Sequence, residues 1–412
     1  MAEKYGIKTR VLEGAAETPV SSTSCVVFFG YASNSINLLN DPQHIYSYQE
    51  YLTKYHSGTA PAEPLALDKA AEFALPLING AWFVNVNADD VSDGSEIDYA
   101  DLSSYISAAL EPALAEICLT SSDVPNIICV PTVSESTLMT ALAGVCNGKV
   151  NDLYHAQAFV DCAVDAAQID ASGDPVAAEI EAPIADGSIV ACWGEGILER
   201  NASGVPTKRI PSSIIMAVTR AVQDAKNVNN VPYRSVGNIR VNIKGMCINT
   251  PSDSALECTC RQEKMNEVVE NGIVSFINKG NNRWYTWGDH TSAVTAGDVD
   301  DETYRFDSTV AVLYHILNRF IQKWGTVIDS PMSLRLRDCI LSEQQDYLNG
   351  LKALGCVVGN PKCEFRALDN SADTLGRGQF YFIDIATIVP PAKFVELGIQ
   401  YTDEGLSAYI EE

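Results

Sequence analysis

The stretch Gln379-Phe380-Tyr381-Phe382-Ile383-Asp384-Ile385-Ala386-Thr387-Ile388 is aromatic and β-branched. Gly378 precedes it and Pro390-Pro391 follows, so it predicts a mostly buried strand. Beyond the prolines, residues 394–401 alternate. Val395, Leu397, Ile399 and Tyr401 fall on one face, and Glu396, Gly398 and Gln400 on the other, the pattern of a strand with one wet face. The opposite end of the chain does the same: Tyr5, Ile7, Thr9 and Val11 alternate with Gly6, Lys8 and Arg10. A chain that begins and ends in half-buried strands has two edges to pair, within itself or with neighbouring molecules.

Between these ends the pattern changes. Residues 14–24 are small and polar with Pro19, a linker. Strands are expected at 25–29, 82–87, 127–130, 158–164, 189–193 and 238–248. Helices are expected at 68–77, 101–117 (kinked or divided at Pro112), 134–145 and 210–226. Strand and helix alternating over residues 25–248 predict a largely parallel α/β domain. An acidic loop or hairpin is expected at 170–185.

From residue 249 the reading is α+β. A polar helix at 263–271 precedes a hairpin, 273–277 with 284–287, turned at 278–282. Phe306, Val310, Leu313, Leu317, Phe320 and Trp324 recur at spacings of four and three, one long apolar stripe expected to face the core. A second helix opens at Ser330-Pro331, buries Ile340, Gln344, Tyr347, Leu351 and Leu354, and stops at Gly355.

The 412 residues are enough for two or three domains, and 46% hydrophobic content is that of a globular chain. A net charge of −25 makes a poor surface for nucleic-acid phosphates or an anionic membrane and a good one for solubility at high concentration. No span is expected to approach the ~20 apolar residues that cross a bilayer. Residues 25–32 are too short for a signal core, with Glu13, Glu17 and Pro19 before them, so the chain is expected to act where it is made. The twelve cysteines leave two readings open. Most sit in apolar runs as small hydrophobes. Cys258, Cys260, Cys356 and Cys363 lie in polar, turn-like surroundings suited to cross-links between subunits.

A search for chemistry returns little. No Gly-x-Ser-x-Gly elbow and no Gly-rich phosphate loop occurs. Asp289-His290 are sequence neighbours, His44, His56, His155 and His315 carry no motif, and Cys258-x-Cys260 lacks the second pair a zinc site needs. No catalytic, cofactor-binding or metal site is expected.

Trp284-Tyr285-Thr286-Trp287-Gly288-Asp289-His290-Thr291 is the segment that resembles a known family. A hairpin ending in Trp287-Gly288 with Thr291 after it, then a loop, a long helix, a second helix ending at Leu351, Leu354 and Gly355, a strand at 363–366, a turn at 369–373, a long strand, Pro390-Pro391 and a final alternating strand resemble the contractile tail sheath proteins of bacteriophages and related injection particles. Upstream, Ile210-Pro211-Ser212-Ser213 and Asn230-Val231-Pro232-Tyr233 are similar to that family's middle region. His290 stands where the family often has Arg, and Arg305 alone where a pair often opens the long helix.

The resemblance implies an N-terminal arm and linker (1–24), a central α/β domain (25–248), a C-terminal sheath core (249–393) and a C-terminal strand and arm (394–412). It implies a structural subunit of stacked hexameric rings that form a helical sheath around an inner tail tube. Contraction of that sheath would drive the tube through the target envelope. Terminal strands at Tyr5, Ile7, Thr9, Val11, Val395, Leu397, Ile399 and Tyr401 would be exchanged between subunits, and Arg335, Arg337 and Lys352 would touch the tube. Baseplate and tail terminator proteins are further implied partners, with no direct nucleic-acid contact and no membrane insertion. The implied location is a virion tail assembled in the host bacterial cytoplasm. Another structural component of such a particle, such as a baseplate protein, and an α/β hydrolase-like enzyme are the alternatives.

Overall fold

In a computed structural model, residues 24–33, 38–86, 99–121, 123–249, 255–393, 395–400 and 402 are described. Residues Tyr5, Ile7, Thr9, Val11 and Tyr401, expected on exchanged strands, lie outside them.

The first strand shows why the body is layered. In β1 (Cys25–Gly30) every residue is buried, and the alternation serves two cores at once. Cys25, Val27 and Phe29 enter one apolar cluster while Val26 and Phe28 enter another. A strand covered on both faces reads as a continuous apolar run, as this one does. The same holds for β4 (Pro125–Val130), β5 (Gln157–Asp161) and β6 (Ile189–Cys192).

These strands join β2 (Gln43–Ile45), β3 (Ala81–Asn85), β9 (Arg240–Val241), β12 (Ile273–Asn278) and β13 (Trp284–Trp287) in one nine-stranded sheet. Its order is β2-β3-β1-β4-β5-β6-β12-β13-β9. Pairing is parallel from β3 through β12 and antiparallel at both ends. Helices α3 (Tyr99–Thr120) and α4 (Ser136–Cys146) cover one face. Helices α1 (Tyr48–His56), α2 (Ala66–Ala74), α5 (Ser212–Asp224) and α6 (Gln262–Glu270) cover the other. The expected parallel α/β body is therefore present. The sheet also crosses the boundary expected at residue 249, because the β12–β13 hairpin pairs onto β6.

A smaller antiparallel sheet, order β11-β10-β7-β8, is made by β7 (Glu195–Arg200), β8 (Pro206–Pro211), β10 (Met246–Asn249) and β11 (Ala255–Cys258). The single strand expected over 238–248 is thus two short ones in different sheets. At Gly245, between them, a Cβ would meet the Arg200 guanidinium at 2.5 Å and Ile197 at 2.9 Å.

Helix α3 corrects two expectations. It runs unbroken through Pro112. Its residues Leu102–Thr120 are also long and apolar enough to cross a bilayer. Here Leu102, Ile106, Leu110, Leu114 and Ile117 fill the core against β1 and β4 instead.

The remainder stands apart from the sheet. Helices α7 (Asp307–Trp324) and α8 (Leu334–Ala353) support β14 (Val357–Glu364) and β15 (Ile383–Ile388), with the short α9 (Ala372–Gly376) between the strands. Strands β14 and β15 form a two-stranded antiparallel sheet of their own, offset by an irregularity between Val358 and Lys362. Gly355, at φ +79, closes α8, and the Cys356 amide returns to the Leu351 carbonyl at 2.9 Å. A small cluster of Val312, Ile316, Leu348, Leu351, Cys356 and Val357 holds this unit to Val231 of the body.

Candidate functional site

The ribbon of β14 and β15 is the least finished part of the fold. An isolated pair of strands is marginal in water. Its inner side rests on α8, where Gln344 donates to Asp384 at 2.5 Å, and Gln345 donates to the Pro361 carbonyl at 2.9 Å and accepts from the Cys363 amide at 3.1 Å. Asn370 brackets Tyr381, accepting from its amide at 2.8 Å and donating to its carbonyl at 2.9 Å. No third strand pairs with either edge among the described residues. The stretch expected to be mostly buried is half exposed, with Tyr381 at 47% and Ile385 at 45%. The reason is that a two-stranded sheet has a helix on one side only.

The tail beyond Pro390-Pro391 carries the expected alternation but not the expected pairing. Residues 395–400 have no regular structure, and Val395, Leu397 and Ile399 are 81–85% exposed. Apolar side chains at a strand's spacing stand in solvent, with none of the described residues over them.

Beside β15 lies a groove of about 900 Å³ whose apolar walls include Leu313, Leu317 and Phe320 of α7, Phe382, and Ala386 of β15. The α7 stripe expected to face the core is therefore, in its middle, a groove wall, and Leu317 is 45% exposed. The helix buries Val312 and Ile316 instead. Asp186, Asp300, Asp301 and Asp384 also line the groove.

The Trp287-Gly288-x-x-Thr291 segment is a structural splice. Trp287 donates its indole N–H to Asn266 at 2.8 Å. At Gly288, φ is +95, and a Cβ would press on Val269, Val274 and the Ile273 carbonyl at 3.1–3.2 Å. Thr291 is fully buried, and its hydroxyl donates to the Tyr304 carbonyl. His290 sits with Nδ1 2.9 Å from the Val269 carbonyl and its ring against Phe306. The Asp289 carboxylate pairs with Lys393.

Two polar groupings had no motif in the sequence. At the start of α7, Asp307 is wholly buried and pairs with Arg220 of α5, which is 1% exposed. Asp307 also accepts from the amides of Val236 at 3.2 Å and Ser308 at 2.7 Å. Arg220 donates to the carbonyls of Arg234 at 2.8 Å and Pro232 at 3.3 Å. Asp224, 3.8 Å from Arg220, is pushed up to about 7 by burial. The signal available in the sequence was a lone Arg in the apolar run of α5. The second grouping is Asp68, which accepts from Tyr51 at 2.8 Å and from the Ser33 and Leu65 amides at 2.9 Å, and lies 2.7 Å from His56. Ser33, His56 and Asp68 are the residue types of a hydrolase, but the carboxylate lies between the other two, and the Ser33 hydroxyl donates to the Glu63 carbonyl.

The expected tube contacts do not form one cluster. Arg335 and Lys352 are exposed on α8 but seventeen residues apart, roughly 25 Å along a helix. Arg337 bonds its neighbour Asp338 at 2.6 Å. All twelve cysteines are free thiols in the single chain, with Cys258, Cys260 and Cys356 buried and Cys363 half-buried. The exposed thiol is Cys339. No group of three metal-ligating side chains occurs among the described residues.

No family model and no curated protein matches the chain. Among solved structures it is similar to the PVC sheath complex of an extracellular contractile injection system in its contracted state, with a TM-score of 0.67 and 15% identity over 98% of this chain and 99% of that one. The chain has the sheath-protein fold. A chain of the anti-feeding prophage baseplate, 6-fold symmetrised, matches at TM-score 0.64 and 15% identity over 98% of this chain and all of that one. The sheath tail protein from Desulfitobacterium hafniense matches at 0.56 and 11% identity over 93% of this chain and all of that one. The likeness to the sheath fold takes in both the nine-stranded body and the half-open ribbon.

Proposed function

We propose that this chain is the sheath subunit of a contractile injection particle, without catalytic activity. It stacks as hexameric rings around an inner tube, and contraction of the cylinder drives the tube through a target envelope. The observation that carries the reading is the ribbon of β14 and β15, whose edges no described strand pairs, with an apolar groove beside it and an alternating tail in solvent. Each lack in one copy is something another copy can supply: the tail offers a strand, and the ribbon offers an edge. Several backbone hydrogen bonds per added strand, at roughly 1 kcal/mol net each, hold neighbours together while subunits rotate.

Residues 5–11 are the second donated strand. Lys8 and Arg10 set that segment's charge against the aspartates of the groove in a chain of net charge −25. The exposed face of α8, with Arg335 or Lys352, meets the tube. Baseplate and terminator proteins close the two ends of the cylinder, and the particle assembles in the bacterial cytoplasm before it acts outside. The 6-fold symmetrised baseplate relative supports hexameric order. It also favours the second reading, a component of the baseplate collar. Electron microscopy of the chain expressed alone tests the proposal: long hollow cylinders are expected, single rings would favour the collar, and dispersed monomers would refute both.

A further inference from the structure

The polar groups around the start of α7 connect into one line, and its two ends are the residues from which the terminal segments continue. Ser24, just before β1, donates its hydroxyl to Asp224 Oδ2 at 3.0 Å. The other oxygen of Asp224 lies 3.8 Å from Nη1 of Arg220, one turn earlier on α5. Nη2 of Arg220 pairs with Asp307. The Asp307 amide donates to the Asp289 carbonyl at 2.9 Å. The Asp289 carboxylate pairs with Lys393, two residues past Pro391. Every step from Ser24 to Lys393 is a hydrogen bond, an ion pair or a residue's own covalent frame.

Stability does not ask for this arrangement. Asp224, Arg220 and Asp307 are each no more than 1% exposed, and apolar side chains of similar volume commonly fill such a site at no cost. What a buried charged line provides is resistance to displacement. Moving one member leaves an unpaired charge in a low dielectric, so its neighbours are held in register. The bonds from Arg220 to the 232 and 234 carbonyls and from Val236 to Asp307 pin the middle of the line to the body.

We propose that this line couples the two chain ends, so that a displacement at Lys393 is felt at Ser24 and the reverse. Its use, passing strain from one neighbour to the next through a subunit, rests on the sheath reading; the coupling itself does not. Spatial continuity alone does not establish coupling, so the test is a double-mutant cycle.

The full-length chain is compared with Ser24→Ala, Lys393→Met and the double variant by amide hydrogen exchange, at dilutions where light scattering shows single subunits. Both substitutions lie at the ends of the line and leave the buried charges in place. Lys393→Met is expected to speed exchange at residues 24–26, and Ser24→Ala at 306–308 and 389, each about fivefold, with the double variant no faster than the faster single. Effects confined to each variant's own end, or effects at a shared site that multiply in the double variant, would overturn the coupling. So would equal effects at both ends from Ser371→Ala, which removes a helix cap off the line, because the response would then be general loosening. Because single subunits are measured, failure here leaves the sheath reading standing, and a chain that never polymerises leaves this result standing.

Discussion

The nine-stranded body and the two-stranded ribbon use similar residues to opposite ends. In the body, β1 has β3 on one side and β4 on the other, helices on both faces, and no residue above 9% exposure. In the ribbon, among the described residues, β15 has one partner and one covered side, and Ile385 of its Ile-Asp-Ile-Ala-Thr-Ile run is open to solvent. Both strands have high β-propensity, so propensity does not separate them. What separates them is how many neighbours the described residues supply. Among the described residues the body completes itself, whereas the ribbon does not.

That contrast can be broken at several points. The largest effect is expected from deleting residues 1–12. The body keeps its fold, judged by circular dichroism, while sedimentation shows polymers replaced by single subunits; normal polymers from the truncated chain would end the strand-exchange account. Next is Arg220→Met, which leaves Asp307 and Asp224 without their cation inside the body and should cost about 3–5 kcal/mol in a denaturant titration.

A pH titration sharpens the same point. Burial raises Asp224 to about 7 and Asp161 to about 6, well above their unfolded values. A carboxyl raised in the folded state contributes stability that is full below about pH 4 and is lost as pH climbs through the folded value. Asp224→Asn should therefore gain stability relative to the parent chain between pH 4 and 7 and show no further relative change above about pH 8. A parallel pair of stability curves would show that Asp224 does not titrate in that window.

The smallest effect on the single subunit is expected from Leu397→Asp with Ile399→Asp. Both side chains are more than four-fifths exposed, so the denaturation midpoint should move by no more than about 0.5 kcal/mol. Polymer formation should be lost all the same. A marked loss of monomer stability would mean that the tail packs on its own chain.

The sequence was most legible where a pattern has a single physical use. Continuous apolar runs between helical periods gave the parallel sheet, and the hairpin of β12 and β13 was marked by its turn. Amphipathic stripes were less decisive. The six residues from Phe306 to Trp324 mark one face of α7, but periodicity does not say whether that face is covered by the same chain or by another. Leu313, Leu317 and Phe320 prove to be the wall of an open groove. The polar line from Ser24 to Lys393 was not legible, because its members are scattered over 370 positions and meet only through the fold. The burial of Cys258 and Cys260 was likewise not legible from their polar neighbours in sequence.

The central claim is that foreign strands finish the ribbon. Electron cryomicroscopy of polymers grown from the full-length chain, at a resolution that traces the backbone, tests it most directly. The account predicts extra strands hydrogen-bonded along β14 and β15, each traceable to residues 5–11 or 395–401 of another copy. Bare edges in the polymer, or a subunit's own tail folded back onto its own β15, would contradict it.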